Sequence, residues 1–191
     1  MPIIKTHDIT LTQGDIILRP LCDDHIPLLL KWGQDMDVQY WVDGPDAEPL
    51  TPESIGVIWG QVSQSGLCFL IEHKGHPIGE CWLQEMHEKQ RKINLIEEPL
   101  EFDVRRIDMS IGEKTHWGQG VGGAMISMLV QFAFEEQNVD VLYGLTFDYN
   151  KRSQRVFEKN GFQFVEQHQE GEQMMAKHRL TRQEYVDRCS L

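Results

Sequence analysis

The sequence has few cysteines and no arrangement of residues typical of a metal site. Its four cysteines are scattered without a CxxC pair, its eight histidines are dispersed, and no HExxH motif is present. We therefore expect no bound zinc or other metal. Isolated thiols in a chain of this size fit a reducing compartment better than a disulfide framework, which predicts a cytoplasmic protein.

The sequence also lacks long apolar runs. No uncharged apolar stretch approaches the roughly 18 residues that a membrane-spanning helix needs. The first residues, MPIIKTHDITLTQGD, contain no apolar region of the signal-peptide type. We expect neither a membrane span nor a secretory signal.

Basic residues are scarce relative to acidic ones. The chain has 18 lysines and arginines against 30 aspartates and glutamates, and its formal net charge is −12. This balance argues against binding to nucleic acids and anionic membranes, which requires cationic side chains. It is compatible with attraction of a cationic small molecule, although acidity that serves only solubility is the alternative.

Helical and strand patterns alternate along a chain without repeats or linkers, so we predict a single domain over residues 1–191 of the α+β (mixed α/β) class. The hydrophobic periodicity and turn residues predict the following elements: a strand at 15–21, a helix from about Asp23, a helix that begins with Thr51 as N-cap and Pro52 at its first position, a hairpin around Lys74-Gly75, an irregular loop at 87–102, a strand over VRRIDMSIG, a helix at 120–137, a strand over VDVLYGLTF, a helix at 150–160, and a final hairpin around Glu170-Gly171.

Four glycines cluster around the start of the helix predicted at 120–137, in the stretch WGQGVGGAM. Glycine in a helix costs about 1 kcal/mol relative to alanine, so this clustering needs a reason. Glycines at a helix start let backbone N–H groups converge on an anion, and the helix dipole adds favourable charge. The alternative is a flexible loop before a tightly packed helix.

Two common phosphate-binding motifs fit this stretch poorly. The lysine and the Ser/Thr of a P-loop are missing, which argues against ATP or GTP hydrolysis. Gly118, Gly120 and Gly123 match GxGxxG, but residues 113–117 separate them from the preceding strand and over a hundred residues precede the motif. A Rossmann dinucleotide fold is therefore the weaker alternative.

The same stretch resembles the coenzyme A pyrophosphate loop of the GNAT superfamily of N-acetyltransferases. NKRSQRVFEKNGF resembles a later motif of that superfamily, at the expected distance of one helix and one strand. The resemblance implies the GNAT fold, a twisted mixed sheet of about seven strands flanked by about four helices. It also implies acetyl-CoA as cofactor and direct acetyl transfer to a primary amine.

Within the superfamily the chain is most similar to the aminoglycoside 6'-N-acetyltransferases. The similarity lies in IEEPLEFD, RRIDMSIG, RVFEKNGF and LTRQEYVDR, while HWGQG also resembles ribosomal-protein acetyltransferases. This resemblance implies a cationic small-molecule amine as acceptor, an aminoglycoside 6'-amine with a role in antibiotic resistance, and is compatible with a homodimer. The alternatives are acetylation of a protein, peptide or polyamine, and a non-catalytic acetyl-CoA-binding module.

The resemblance also implies residues for the cofactor site. The backbone of the glycine loop is expected to hold the pyrophosphate, the end of the preceding strand the pantetheine arm, and the start of the later helix the nucleotide. The cofactor-binding residues predicted in this way are Ser110, Ile111, Gly112, Trp117, Gly118, Gln119, Gly120, Val121, Gly122, Gly123, Asn150 and Arg152. For Arg152 a solvated helix face is the alternative.

Asp108 is the predicted catalytic residue and also a substrate ligand, because it matches an aspartate of the antibiotic-modifying relatives and lies on the polar side of its strand. Its carboxylate can bind the substrate ammonium and accept its proton, while an ion pair with Arg105 or Arg106 is the alternative. The further predicted substrate-binding residues are Tyr40, Trp41, Glu97, Glu98, Glu101 and Asp103. For these the alternatives are packing in the core and a plain exposed acidic loop.

One position departs from the superfamily pattern. Many relatives carry a tyrosine whose hydroxyl protonates the departing thiolate, where this chain has Phe157. Tyr149 and Tyr143 are substitutes that occupy other positions. Because thiols have pKa values near 8.5, a thiolate leaves without assistance near neutral pH, so Phe157 does not exclude catalysis.

Overall fold

A computed structural model describes residues 3–190. Over these residues the chain forms eight β-strands and seven α-helices with two 3-10 turns. The strands are β1 Leu11–Gln13, β2 Ile16–Pro20, β3 Gly66–His73, β4 His76–Glu85, β5 Val104–Ile111, β6 Val141–Phe147, β7 Gln163–Glu170 and β8 Gln173–Thr181. The helices are α1 Ile26–Gly33, α2 Met36–Val42, α3 Pro52–Ser65, α4 Glu88–Ile93, α5 Val121–Glu135, α6 Lys151–Lys159 and α7 Arg182–Cys189.

The strands form one mixed sheet in the order β1-β2-β3-β4-β5-β6-β8-β7, which confirms the predicted α/β class. The predicted counts of about seven strands and four helices are too low. The additional strand is β1, a three-residue partner of β2, and the additional helices are α2, α4 and α7. Each of these elements is eight residues long or shorter, so none carries a long periodic pattern.

Two compact units divide the described residues. Unit 1 comprises the described part of Met1–Gln84 together with Met109–Met125. In it β1, β2, β3 and β4 pair antiparallel in chain order. Its core joins α1 and α3 to β3 through eight buried side chains: Ile4, Leu21, Leu29, Trp32, Ile55, Trp59, Cys68 and Leu70.

Unit 2 comprises Glu85–Asp108 together with the described part of Ile126–Leu191. Its strand pairs are parallel between β5 and β6, and antiparallel between β6 and β8 and between β7 and β8. A buried cluster of Met86, Ile96, Val104, Val141 and Tyr143 forms the core on this part of the sheet.

Several local predictions are confirmed by the geometry of the helix ends and turns. Thr51 caps α3 by accepting a hydrogen bond from the Ser54 amide, and Pro52 is the first residue of that helix. Asn150 caps α6 by accepting a hydrogen bond from Ser153. The predicted hairpins are the β3–β4 and β7–β8 pairs.

The segment predicted as an irregular loop, 87–102, contains α4 and is anchored by two buried cations of unit 2. The Arg91 guanidinium donates hydrogen bonds to the carbonyl oxygens of Met86, Pro99 and Phe102. Lys177, only 2% exposed, donates to carbonyl oxygens of the chain just after α4. The segment is therefore ordered by contacts of charged side chains with its backbone, together with the burial of Ile96 in the core of unit 2.

Candidate functional site

The glycine stretch forms a left-handed loop between β5 and α5. Gly118 has φ of +77° and Gly120 has φ of +82°, values that a side chain with a Cβ atom adopts only with strain. A Cβ atom added at Gly118, Gly120 or Gly123 would meet nothing within 4 Å. The loop therefore presents bare backbone to open space, as the close approach of a pyrophosphate requires.

The start of α5 supplies hydrogen-bond donors beside this loop. The helix begins at Val121, and the Ala124 amide donates to the Gly120 carbonyl oxygen at 3.1 Å. The amides of Val121 and Gly122 belong to the first turn, whose N–H groups have no acceptor within a helix. Such a turn carries partial positive charge. The arrangement fits an anionic group such as the diphosphate of acetyl-CoA.

Two side chains of the loop brace it from within unit 1. The indole Nε1–H of Trp117 donates to the Ile111 carbonyl oxygen at 2.6 Å. The Gln119 side chain donates to the Thr115 carbonyl oxygen, also at 2.6 Å. These contacts direct both side chains toward their own loop, so main-chain amides are what this stretch offers to a phosphate.

Ion pairs connect the turn between β5 and the loop to α1 and the start of α2. Glu113 accepts hydrogen bonds from Lys31 and from the Trp32 indole, and these hydrogen bonds lower the pKa of Glu113 below its ordinary value. Lys114 pairs with Asp35 at 2.9 Å and with Asp37 at 2.6 Å. The segment that leads into the glycine loop is thus fixed from two directions.

Close backbone contacts define the end of β5. A Cβ atom at Gly79 in β4 would lie 2.1 Å from the Ser110 carbonyl oxygen. A Cβ atom at Gly112 would lie equally close, 2.1 Å, to the Trp32 ring. Both glycines are required because only they allow these approaches. Ser110, Ile111 and Gly112 are therefore held in one defined path.

A cavity of about 70 Å³ lies in unit 1 beside this strand end. Its walls come from α1, α2, α3, β4 and β5, and its polar lining residues are Gln39, Asp43, Trp59, Glu80, Trp82 and Ser110. Ser110 is the predicted cofactor residue among them.

Tyr40 and Trp41, two of the predicted substrate-binding residues, lie in a segment where the sequence patterns predict no helix. Both residues lie in α2, whose N-cap Asp35 accepts a hydrogen bond from the Asp37 amide. Their rings pack edge to face with centroids 4.9 Å apart. The residues that this helix contributes to the cavity wall are Gln39 and Val42, so a role for Tyr40 and Trp41 in substrate binding stays a prediction.

Asp108 forms an ion pair with Arg106 in unit 2. The nearby Asp108 carboxylate raises the pKa of the Arg106 guanidinium above its ordinary value. The Asp108 side chain is 22% exposed, so solvent reaches its carboxylate. The ion pair with Arg106, which was the alternative to a catalytic role, is thus present. The carboxylate is nevertheless accessible to an amine.

The predicted acidic rim divides into two pairs of residues in unit 2. Glu98 accepts hydrogen bonds from Arg179 at 2.5 Å and from the Tyr143 hydroxyl at 2.8 Å. Asp103 pairs with Arg105 at 2.7 Å. Glu97 and Glu101 are exposed. The charge available to a cationic substrate therefore comes mainly from the two exposed glutamates, since the other two are already neutralised.

The later motif begins in the loop before α6. Asn150 is buried and uses its side-chain oxygen to cap the helix, while Arg152 is exposed on the first turn. Phe157 is 2% exposed and packs against Gly144, where a Cβ atom would lie 2.5 Å from its ring. The buried ring therefore packs in the core of unit 2, and it has no proton to donate.

The two tyrosines considered as substitutes for the missing hydroxyl differ in their surroundings. Tyr143 is buried, and burial together with its hydrogen bond to Glu98 raises its pKa well above the ordinary value. Tyr149 is half-buried and stacks on Phe147 with ring centroids 5.2 Å apart. Tyr149 is therefore the more accessible of the two.

Within the described part of the chain, no group of three or more histidines, cysteines, aspartates or glutamates has the proximity that a metal ion needs. Among residues 3–190, no helix combines the length and apolar character of a membrane span. The four cysteines are free thiols.

Residues 15–163 match the family model of the acetyltransferase (GNAT) domain. The chain therefore belongs to the GNAT acetyltransferases, which confirms the predicted family, the N-acetyltransferase class and acetyl-CoA as the cofactor.

Individual proteins that resemble this chain do so at low sequence identity. The chain is 23% identical over 165 residues to the aminoglycoside N(6')-acetyltransferase type 1 of Klebsiella pneumoniae, an alignment that covers 84% of this chain and 80% of that protein. The structure of AAC(6')-Ib in complex with ribostamycin and coenzyme A superposes with a TM-score of 0.77 at 21% identity, covering 91% of this chain and 97% of the other. RimL, a ribosomal L7/L12 alpha-N-protein acetyltransferase in complex with coenzyme A, superposes with a TM-score of 0.71 at 13% identity, covering 91% and 98%.

Sequence reasoning missed the polar residues of the cavity. Gln39, Trp59 and Glu80 are buried, and they come from three separate elements. One signal was present in the sequence: Glu80 interrupts the apolar run of β4, where an acidic residue is costly to bury without a purpose.

Proposed function

We propose that the protein transfers the acetyl group of acetyl-CoA to the 6'-amine of an aminoglycoside. The main observation in favour of acetyl-CoA as the acetyl donor is the left-handed glycine loop, which exposes bare backbone at the start of α5. The acceptor half is supported by the aminoglycoside acetyltransferases among the relatives and by the net charge of −12. Acidic surfaces raise the local concentration of polycations.

In this proposal the donor is held mainly by main-chain groups. The amides from Gln119 to Gly123 bind the diphosphate, and the strand end at Ser110–Gly112 binds the pantetheine arm. Asn150 and Arg152 contact the nucleotide. When bound, acetyl-CoA supplies an acetyl thioester, and the backbone cradle orients its carbonyl carbon for attack.

Asp108 binds the acceptor amine and takes its proton. The neutral amine nitrogen attacks the thioester carbonyl carbon, the carbon–sulfur bond breaks with coenzyme A leaving as a thiolate, and the second proton of the nitrogen passes to solvent water. A proton donor is not essential for this leaving group near neutral pH. Tyr149 is the group that we propose for thiolate protonation, because Phe157 of the later motif has no hydroxyl and Tyr149 is more exposed than Tyr143.

Acetylation of a protein amine is the second candidate, and the similarity to RimL favours it. We also propose that residues 1–191 act as one acetyltransferase domain, since the family match runs from 15 to 163. Four free thiols support action in the cytoplasm, and a homodimer stays a prediction.

The test is an acetylation screen that measures release of coenzyme A with kanamycin, ribostamycin, spermidine and a peptide with a free N-terminus. We expect turnover with the two antibiotics and, by NMR of the product, acetylation at the 6'-amine. Turnover confined to the peptide would replace the antibiotic proposal with protein acetylation. Tight binding of acetyl-CoA without turnover on any amine would leave a non-catalytic cofactor-binding module.

A further inference from the structure

The cavity of unit 1 combines apolar walls with three buried polar side chains. Gln39 on α2, Trp59 on α3 and Glu80 on β4 line it, and each is at most 6% exposed. A cavity formed only for packing would be lined by apolar groups. The placement of an amide, an indole and a carboxyl group in one small space indicates recognition of a polar group.

Two of the polar atoms lack partners within the described residues. The Gln39 side-chain oxygen Oε1 is a buried acceptor without a donor, and the Trp59 Nε1–H is a buried donor without an acceptor. Buried polar atoms are nearly always satisfied, because an unmade hydrogen bond costs the full desolvation of the group. A ligand that satisfies both atoms must therefore offer one hydrogen-bond donor to Gln39 and one acceptor to Trp59.

Glu80 brings a buried carboxyl group to the same cavity. Burial, and next the nearby Glu80 carboxylate, raise the pKa of the Cys68 thiol to about 12. A buried carboxylate is stabilised when a cation enters its surroundings. Trp32, Trp59 and Trp82 also line the space, and indole rings attract cations.

The size of the cavity limits what enters it. A volume of about 70 Å³ accommodates about five water-sized groups, given that one water needs about 10–15 Å³ in the same measure. A whole sugar ring is too large. An ammonium group, two carbons and a hydroxyl group together have four non-hydrogen atoms and fit.

We propose that this cavity is a specificity pocket for an ammonium group with a hydroxyl group on the adjacent carbon. The ammonium donates to Gln39 Oε1 and to the Glu80 carboxylate, and the hydroxyl oxygen accepts from the Trp59 indole. The inference rests on the proposed function and deepens it. A pocket of this kind favours amino sugars over polyamines and over peptides with apolar side chains. Spermidine has the charge but lacks the hydroxyl.

The test uses ethanolamine, which carries this pair of groups, with the full chain and without acetyl-CoA. The readout is the ¹⁵N-HSQC signal of the Trp59 indole, which the Trp59→Phe variant assigns by its disappearance. We expect ethanolamine to shift this signal in a saturable way. Propylamine, which lacks the hydroxyl, and ethylene glycol, which lacks the charge, should shift it far less. Equal shifts with all three compounds, or none with ethanolamine, would overturn the pocket.

Variants separate recognition from a purely structural role. Gln39→Leu and Glu80→Gln should each raise the ethanolamine dissociation constant by about tenfold or more, because the first removes a hydrogen-bond acceptor of the ammonium and the second removes its counter-charge. Gln39→Leu should keep or raise Tm, since it removes an unsatisfied polar atom at similar volume. The matched control is Gln64→Leu, at an exposed glutamine of α3 whose side-chain amide donates to the Gly60 carbonyl oxygen. A Gln39→Leu variant that lowers Tm and binds ethanolamine normally would assign Gln39 to structure alone.

The outcome is distinguishable from that of the acetylation screen. If no amine is acetylated but ethanolamine shifts the Trp59 signal and Gln39→Leu abolishes the shift, the proposed function fails and the pocket stands. If aminoglycosides are acetylated at the same rate by Gln39→Leu, Glu80→Gln and the unmodified protein, the pocket fails and the function stands.

Discussion

The indole of Trp117 donates a hydrogen bond to the carbonyl oxygen of Ile111, with 2.6 Å between the two heavy atoms. This contact joins the last residue of β5 to the residue before the first glycine of the loop. Both residues were predicted to contact the cofactor. The hydrogen bond gives Trp117 a second role. It fixes where the loop leaves the strand and therefore where the loop amides lie.

Trp117→Phe should weaken acetyl-CoA binding without unfolding the protein. The ring is retained, but the hydrogen bond that positions the loop is lost, a change worth about 0.5–1.5 kcal/mol. We expect the dissociation constant, measured by calorimetry, to rise about three- to tenfold. Trp41→Phe is the control, because Trp41 lies on α2 and has no predicted cofactor contact. Equal affinities in both variants would show that the bond does not position the loop.

Gly118→Ala should lose both stability and acetyl-CoA affinity, whereas Gly75→Ala should lose only stability. The two glycines have φ of +77° and +78°, and a Cβ atom at either meets nothing within 4 Å. The strain of about 1–2 kcal/mol is therefore the same in both. Only at Gly118 does the methyl group occupy the face that we assign to the diphosphate. Denaturant unfolding and calorimetry measure the two effects, and a normal acetyl-CoA affinity of Gly118→Ala would remove that assignment.

Asp108→Asn should depress kcat/KM by about 10²–10⁴-fold and leave acetyl-CoA binding nearly unchanged, because the amide cannot accept a proton. The matched control is Glu72→Gln, which removes another carboxylate paired with an arginine, Arg19, at 2.6 Å. Steady-state kinetics with an accepted amine measure the effect. Kinetics as little changed in Asp108→Asn as in the control would assign Asp108 to its ion pair with Arg106.

Glu98→Gln should make the free energy of unfolding less dependent on pH in the acidic range. Burial alone would raise the pKa of Glu98, but hydrogen bonds from Arg179 and Tyr143 outweigh it and lower that pKa. The stabilisation is therefore fully present above the ordinary pKa near 4.3 and is lost as the pH falls through the lower value of the folded protein.

At pH 7 the Glu98→Gln variant should be less stable by about 1–3 kcal/mol, and the difference should shrink as the pH falls below about 4. Urea unfolding over this pH range measures it. The exposed neighbour supplies the control, since Glu97→Gln should stay close to the unmodified protein throughout. A constant difference between Glu98→Gln and the unmodified protein at all pH values would contradict the assignment.

The long elements of the fold were predictable because local patterns mark them. The Thr51-Pro52 start of α3, the Asn150 cap of α6 and the glycine loop before α5 are short-range signals, and all three are present in the structure. The start of α7 was missed although Thr181 and Glu184 form a capping box. The helix α4 was missed because its six residues include four charged ones and no apolar stripe.

The loop amides could be anticipated from sequence, while the cavity could not. Gln39, Trp59 and Glu80 lie some twenty residues apart on two helices and a strand, and only packing brings them to one space. Likewise, the spacing of Glu97, Glu98, Glu101 and Asp103 predicts one acidic rim. The structure neutralises two of them with arginines that are up to eighty-one residues distant in the chain.

The unsatisfied pair of polar atoms on Gln39 and Trp59 has a consequence for laboratory evolution. A population selected for heat resistance alone should replace Gln39 early. An apolar residue there removes the desolvation cost of the buried Gln39 oxygen, a cost that is offset only when the proposed ligand is bound. Selection under antibiotic pressure should retain it. The two regimes, started from the same gene, would therefore diverge first at this position.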